Sequence, residues 1–461
     1  MLLILVLFSH KVYKSKPPTC VKKKKEKEKK NPHANMNKIL TEILQQIFKE
    51  LLKDSAKDGY SALMVNREWC NTMIPMLWEN PFATGHRYNH YKIVRTLLST
   101  LDNYSRTSLI DNGIDLSSSK SGTIFDYAFF IRNIPYDYIY KGIKDYVSSE
   151  YESETFNIII DNNYDIKIKN IRLIFHQLLS SIINKSEFIK TIRRFHYGPH
   201  TKELDIIEDE INMIPYLPGA NKSLKELYGI HISNKLNFTK FQTGLSQICK
   251  NITLVKINCE TMDSSRSLAS LIRSQKKLVI LIIEFSEDDI FVPILESLEN
   301  HKESLEYLSL KNCNFNIISE KALETLKSCK KLEILGLNHC TGLDNMKLLS
   351  LSTSFPLLRK FTFNYKKYYP LENFLIGIIK TANTNLRKIT LDSFTLKITE
   401  AILKYATNFT SCELGQSEFS SAEVLKKQYI DFSTRLRNNK DYIYHKKHEP
   451  FRTFILKNNY T

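Results

Sequence analysis

Leu305–Cys313 reads LEYLSLKNC and Leu332–Cys340 reads LEILGLNHC. Both segments place apolar residues at the first, fourth, sixth and ninth positions. The alternation over the middle of each is that of a strand with one buried face. It points Leu308 and Leu310, then Leu335 and Leu337, toward a core. Tyr307, Ser309 and Lys311, then Ile334, Gly336 and Asn338, point the other way. One such strand decides little. Two copies, 27 residues apart, define a repeating unit.

The same apolar triplet recurs outward in both directions. It reads LRKFTF from Leu358 and LRKITL from Leu386, then LVILII from Leu278 and LVKINC from Leu254, with a degenerate LKELYGI from Leu224. The successive starts are 30, 24, 27, 27, 26 and 28 residues apart. Helix-like segments fill the intervals. Leu371, Phe374, Leu375, Ile378 and Ile379 follow helical spacing, as do Ala322, Leu323, Leu326 and Cys329, and Ile294, Leu295 and Leu298. A period near twenty-seven with this triplet resembles the leucine-rich repeats. That resemblance implies an α/β solenoid, with parallel strands on the concave face and helices on the convex face. Cys313 and Cys340 stand where such a repeat buries an Asn or Cys, which makes them packing residues. A doubly wound α/β enzyme also alternates strand and helix. The fixed period favours the solenoid, and no Gly-rich turn follows any of the strands.

A different pattern occupies the N-terminal part. Ile39, Leu40, Ile43, Leu44, Ile47, Phe48, Leu51 and Leu52 form adjacent pairs every four residues, one stripe of a helix. Asp54, Lys57, Asp58 and Gly59 read as a polar turn. A second apolar set follows at Leu63, Val65, Trp69, Met73 and Trp78, with Pro75 expected to end or kink its helix. So short a segment buries little alone, so its apolar side chains point to a protein partner. The runs VNREWC (from Val65) and PMLWENPF (from Pro75) resemble an F-box in the form found in large fungal F-box families. Leu40, Glu42, Ile43, Leu44, Ile47, Phe48, Leu63, Val65, Asn66, Arg67, Trp69, Trp78, Pro81 and Phe82 carry the match. Thr41 stands where the family usually has Pro. Thr is a favoured N-cap residue, so the helix can begin there; the adaptor contact of the Pro is left open.

The chain has 461 residues and a formal net charge of +17. Residues 1–35 hold ten Lys against two Glu and carry +8 of that charge, mostly in KKKKEKEKK from Lys22. Such a block reads as a solvated, disordered tail, with a nuclear-localisation signal or a phosphate-binding arm as the other readings. The opening MLLILVLF is too short to span a bilayer and lacks a signal-peptide layout. Met36, just before the F-box-like segment, would also serve as a start. The eight Cys are thinly spread and form no C-x-x-C pair, the pattern of a reduced, cytoplasmic or nuclear chain.

Motifs for catalysis, nucleotide binding and metal ligation are absent. His86 and His90 read as a surface pair, His445 and His448 likewise. His339 lies at a turn beside an inward-facing Cys340, a poor geometry for a thiolate–imidazole couple. Glu284, Glu287, Asp288 and Asp289 read as a solvated helix start. The expectation is a non-catalytic protein with no cofactor and no metal.

The domain map is then a basic tail over 1–35, an F-box over 36–84, a region 85–190, a repeat solenoid over 191–430 and a cap or tail over 431–461. For 85–190, a helical linker and irregular early repeats both fit; Ile192, Phe195 and Tyr197 are candidates for a first degenerate strand. The F-box resemblance implies docking on a Skp-type adaptor, and through it on a cullin–RING ubiquitin ligase. Its candidate contacts are Leu40, Ile43, Leu44, Ile47, Phe48, Leu51, Trp69 and Trp78. A protein substrate would meet the outward strand positions of the solenoid, foremost Ile280, Ile282, Tyr307, Ser309, Lys311, Ile334, Asn338, Lys360 and Lys388. Ile280, Ile282, Tyr307 and Ile334 would form an apolar patch among polar neighbours. The alternative is a repeat scaffold or a basic nucleic-acid-binding protein with no ligase link.

Overall fold

A computed structural model of the chain describes residues 41–54, 56–82, 90–119, 122–151, 162–194, 206–232, 237–285, 290–343, 349–364, 371–391, 395–414, 442–443 and 453–456. The basic tail, Leu40, His86, Phe195, Tyr197, His445 and His448 lie outside them, as do Glu287, Asp288 and Asp289. The fold is α/β and divides into two units, residues 1–224 and 225–461.

The first unit opens with three helices, α1 (Thr41–Asp54), α2 (Ala56–Ala62) and α3 (Arg67–Trp78). The expected polar turn at Lys57–Gly59 is instead the body of α2. Gly59 explains why: a Cβ there would come within 2.6 Å of Leu52 Cδ2, so the missing side chain lets α2 lie against α1. Thr41 is itself helical, within α1, rather than a cap outside it. Asn66 caps α3, its side chain accepting from the backbone N–H of Trp69 at 2.9 Å. Pro75 does not end α3, which runs on to Trp78.

Next come α4 (His90–Ser99), α5 (Asn103–Asp111), α6 (Tyr127–Phe130) and a short strand β1 (Asn133–Pro135). Long helices α7 (Tyr136–Tyr151) and α8 (Asn162–Lys185) precede a second strand β2 (Thr191–Arg193), and α9 (Glu208–Met213) and α10 (Ala220–Ser223) close the unit. β1 and β2 pair parallel, Asn133 opposite Thr191 and Ile134 opposite Ile192. Region 85–190 therefore contains one strand–helix unit, β1 with α7, as well as further helices. The apolar triplet is present there, as Ile131, Ile134 and Tyr136, all fully buried.

The second unit mostly alternates strand and helix. Its elements are β3 (Gly229–Ile232), α11 (Thr239–Ile248), β4 (Leu254–Cys259), α12 (Met262–Ser274), β5 (Ile280–Phe285), α13 (Val292–Ser297), β6 (Tyr307–Lys311) and α14 (Glu320–Ser328). They continue as β7 (Ile334–Asn338), β8 (Lys360–Asn364), α15 (Glu372–Ala382), β9 (Lys388–Leu391), α16 (Leu396–Tyr405) and β10 (Ser411–Leu414). Each strand from β3 to β10 pairs parallel with the next in sequence order. An antiparallel pair, β11 (Tyr442–Ile443) and β12 (Thr453–Leu456), ends the sheet, with β12 against β10.

Register corrects two of the expected repeat starts. Leu254 pairs with Ile280, and Ile280 with Tyr307, so the residue equivalent to Leu278 and Leu305 is Ile252. Gly229 pairs with Leu254, which makes Leu227 the equivalent in the preceding unit, not Leu224. Ile252 and Leu227 are both fully buried. With these starts the spacings become 25, 26, 27, 27, 26 and 28, more even than the apparent ones.

In two successive repeats a side chain after the helix satisfies backbone groups of the neighbouring repeat. The carboxamide of Gln275 accepts from Ile252 N at 3.0 Å and donates to Cys249 O at 3.1 Å and Leu271 O at 2.9 Å. One unit on, His301 Nδ1 accepts from Leu278 N at 3.2 Å, and Nε2 donates to Ile272 O at 2.8 Å. Those two bonds select the neutral tautomer with the proton on Nε2, and burial pushes the His301 pKa down.

Candidate functional sites

The helix α1 divides its apolar pairs. Leu44 and Phe48 are 1% and 0% exposed, and Phe48 packs edge-on against Trp69 with ring centroids 5.1 Å apart. Their sequence neighbours Ile43 and Ile47 stay 49% and 47% exposed. Met64 and Val65, in the turn before α3, are each 56% exposed. Leu51 and Trp69 are half-buried. Thr41 and Gln45 of α1, with Glu68, Asn71, Thr72, Pro75 and Met76 of α3, line an open groove of about 490 Å³.

Trp78 belongs elsewhere. It is 4% exposed, and its ring lies 4.2 Å from that of Tyr127 at the start of α6. Burial, with a smaller contribution from nearby Cys70, pushes the Tyr127 hydroxyl up to about 12. The neighbouring Glu79 receives Arg132 N on its backbone carbonyl at 3.0 Å and Lys190 Nζ on its carboxylate at 2.6 Å. Trp78 and Glu79 thus fasten the end of α3 to the backbone around β1 and β2. Of the eight expected adaptor contacts, Ile43 and Ile47 are open, Leu51 and Trp69 partly so, and Leu44, Phe48 and Trp78 are core. Leu40 lies outside the described residues.

The second candidate is the sheet face of the second unit that carries the alternate, half-buried side chains. One face of β4, β5, β6 and β8 is closed, and the other reads half-exposed at every second residue. Cys313, Cys340, Leu308, Leu310, Leu335 and Leu337 are all on the closed side at 1% exposure or less. Register partners on the open side form rows. Leu254, Ile280, Tyr307, Ile334, Lys360 and Lys388 make the first row, in strand order from β4 to β9. Lys256, Ile282, Ser309, Gly336, Thr362 and Thr390 make the second. Asn258, Glu284, Lys311, Asn338 and Asn364 make the third. All nine expected substrate-face residues fall in these rows and are half-buried. Leu254, at the head of the first row, was hidden by the misplaced repeat start.

Gly336 departs from expectation: it is buried, because Ser309 Oγ occupies the space 2.9 Å from where its Cβ would stand. Glu284 is not at a helix start either. It lies in β5 on the open face and pairs with Lys311 at 2.6 Å. Asn364 donates to Asn338 Oδ1 at 3.0 Å, which extends the polar row.

His90, expected at the surface, is 4% exposed, with its ring 5.8 Å from Phe82 and 4.9 Å from Tyr138. Burial, then the charge of Lys141, depresses its pKa. His339 adopts a left-handed turn conformation, φ 55°, while Cys340 is fully buried. Burial pushes the thiols of Cys329 and Cys259 up to about 12 and 11, so both stay protonated and non-nucleophilic at neutral pH. Among the described residues, no group of three His, Cys, Asp or Glu is placed to hold a metal ion. No helix among them is long and apolar enough to cross a membrane.

No model of a known protein family matches the chain, and no curated protein matches it.

Proposed function

We propose that the protein is the substrate-recognition subunit of a Skp–cullin–F-box ubiquitin ligase. The first unit would dock the adaptor through α1 and the turn before α3, and the second would hold a protein substrate on the open face of leucine-rich repeats. The supporting observation is the division within α1. Leu44 and Phe48 complete a small core while Ile43 and Ile47, their neighbours, remain uncovered together with Met64 and Val65. Four large apolar side chains left open on α1 and in the turn before α3 favour an apolar partner surface.

In this reading the chain supplies no reacting group. It holds the substrate near the ligase's partner enzyme, which transfers ubiquitin to a substrate Lys, and its contribution is proximity and orientation. The test is co-purification of the full chain with a Skp-type adaptor, with and without Ile43→Asp and Ile47→Asp together. Two carboxylates in an apolar contact should weaken the association by about a hundredfold or more. Folding should persist, because neither side chain belongs to the core. Undiminished adaptor binding by a folded double variant would overturn the proposal.

A further inference from the structure

The open face of the second unit is not uniform. Its first row is apolar over Leu254, Ile280, Tyr307 and Ile334, and then basic at Lys360 and Lys388. Lys360 and Lys388 are direct register partners on neighbouring strands. Like charges in that relation work against sheet stability. The residues preceding them, Arg359 and Arg387, are exposed cations as well. Arg359 is partly met by Glu333 at 3.4 Å. At the equivalent positions just before the two preceding strands stand Glu306 and Glu333, so the charge changes sign between β7 and β8 along the edge where the strands begin.

We infer that this face binds an extended peptide segment in which an apolar stretch is followed by carboxylates. The inference rests on reading the face as the substrate-binding surface. The dimensions set the spacing. Neighbouring strands lie about 4.8 Å apart, so the apolar row from Leu254 to Ile334 is about 14 Å long and Lys388 lies about 10 Å beyond it. An extended chain advances about 3.3 Å per residue, which gives about four residues over the apolar row and carboxylates within the next three. Tyr307, in the middle of the row, offers both a flat apolar ring and a hydroxyl, the combination favoured at the centre of a binding patch. A nucleic acid would also answer to the four cations. The apolar two-thirds of the row has no role in phosphate binding, which favours the peptide.

The experiment uses the full chain and fluorescein-labelled peptides in three sets: four apolar residues followed by four Asp or Glu, the same with Gln or Asn in place of the acids, and the same with Lys. The acidic set should bind, the amide set about tenfold more weakly, and the Lys set not measurably. The double variant Lys360→Glu, Lys388→Glu should exchange the preferences of the acidic and Lys sets. Tyr307→Ala should weaken all peptides that bind. Equal binding of the acidic and amide sets, no binding of any set, or saturable binding of single-stranded RNA that displaces the acidic peptides would each overturn the inference. Adaptor co-purification is measured in parallel on the same variants. Peptide preference as stated with no adaptor bound would leave this inference standing and remove the ligase reading. Adaptor bound with no peptide preference would do the reverse.

Discussion

Helix α1 and strands β6 and β7 both carry paired apolar residues, and they sort them by different rules. In the strands, sequence neighbours point to opposite faces, so parity alone assigns Leu308 and Leu310 to the core and Tyr307 and Ser309 to the open side. In α1, neighbours are separated by about 100° of rotation, and both members of a pair can lie within one apolar stripe. Leu44 and Ile43 are then equivalent in sequence, and only the position of α3 makes one a core residue and the other a surface residue. A strand thus announces its buried face, while an amphipathic helix announces only that some face is buried.

The largest difference is expected within α1 itself. Phe48→Ala removes a fully buried ring packed on Trp69 and should destabilise the first unit by about 3–5 kcal/mol. Ile47→Ala, one residue away, should change stability by about 0.5 kcal/mol or less. Urea unfolding followed by Trp fluorescence measures both, and similar losses from the two would mean that Ile47 is not a free surface.

The matching pair in the second unit is Leu335 and Ile334. Leu335→Ala should cost about 2–5 kcal/mol as a large-to-small core change. Ile334→Ala, on the half-buried row, should cost about 1 kcal/mol or less. A reversed order would place the buried face of the sheet on the wrong side.

A smaller effect is expected where the repeats are stitched by side chains. Gln275→Leu keeps the volume and leaves the N–H of Ile252 and the carbonyl of Cys249 without a partner, a loss of about 1–3 kcal/mol. Thermal unfolding of the variant beside wild type would show it. A neutral result would mean that water replaces the carboxamide.

How much was legible follows the same rule. The triplets from Leu278 onward are legible because a Leu opens each of them. At Ile252 the opening residue is not Leu, and Leu254, two positions on, imitated it; Leu224 did the same for Leu227. Only pairing of Gly229 with Leu254 and of Leu254 with Ile280 resolves the frame. Earlier in the chain the triplet at Ile131 and the strand at Ile192 are separated by the long helices α7 and α8, so no period exists to find. Arg194, 5% exposed, stands in the last position of the second triplet, where the pattern wants an apolar residue. Trp78 reads as a partner contact in the sequence because its neighbour, Tyr127, is distant in sequence. Gly59, read as a turn, is a close approach of helices, and no local signal separates the two uses of glycine.

The smallest expected effect compares two buried histidines, one in each unit. His90 sits between aromatic rings, and His301 is held by two backbone bonds that require its neutral form. Burial lowers both pKa values below the ordinary histidine value. A folded-state pKa below the unfolded one means that the stability is fully present above about pH 6.5 and is lost as the pH falls through that value toward the depressed one. The slope cannot exceed about 1.4 kcal/mol per pH unit for each such proton. His301→Gln places at this position the side chain that the preceding repeat already uses at Gln275, and it does not titrate. Urea unfolding at pH 7.5 and pH 5.5 should therefore show wild type losing more stability than the variant over that interval. If the two fall in parallel, His301 takes up its proton equally in the folded and unfolded chain, and the tautomer assigned by its contacts with Leu278 and Ile272 is wrong.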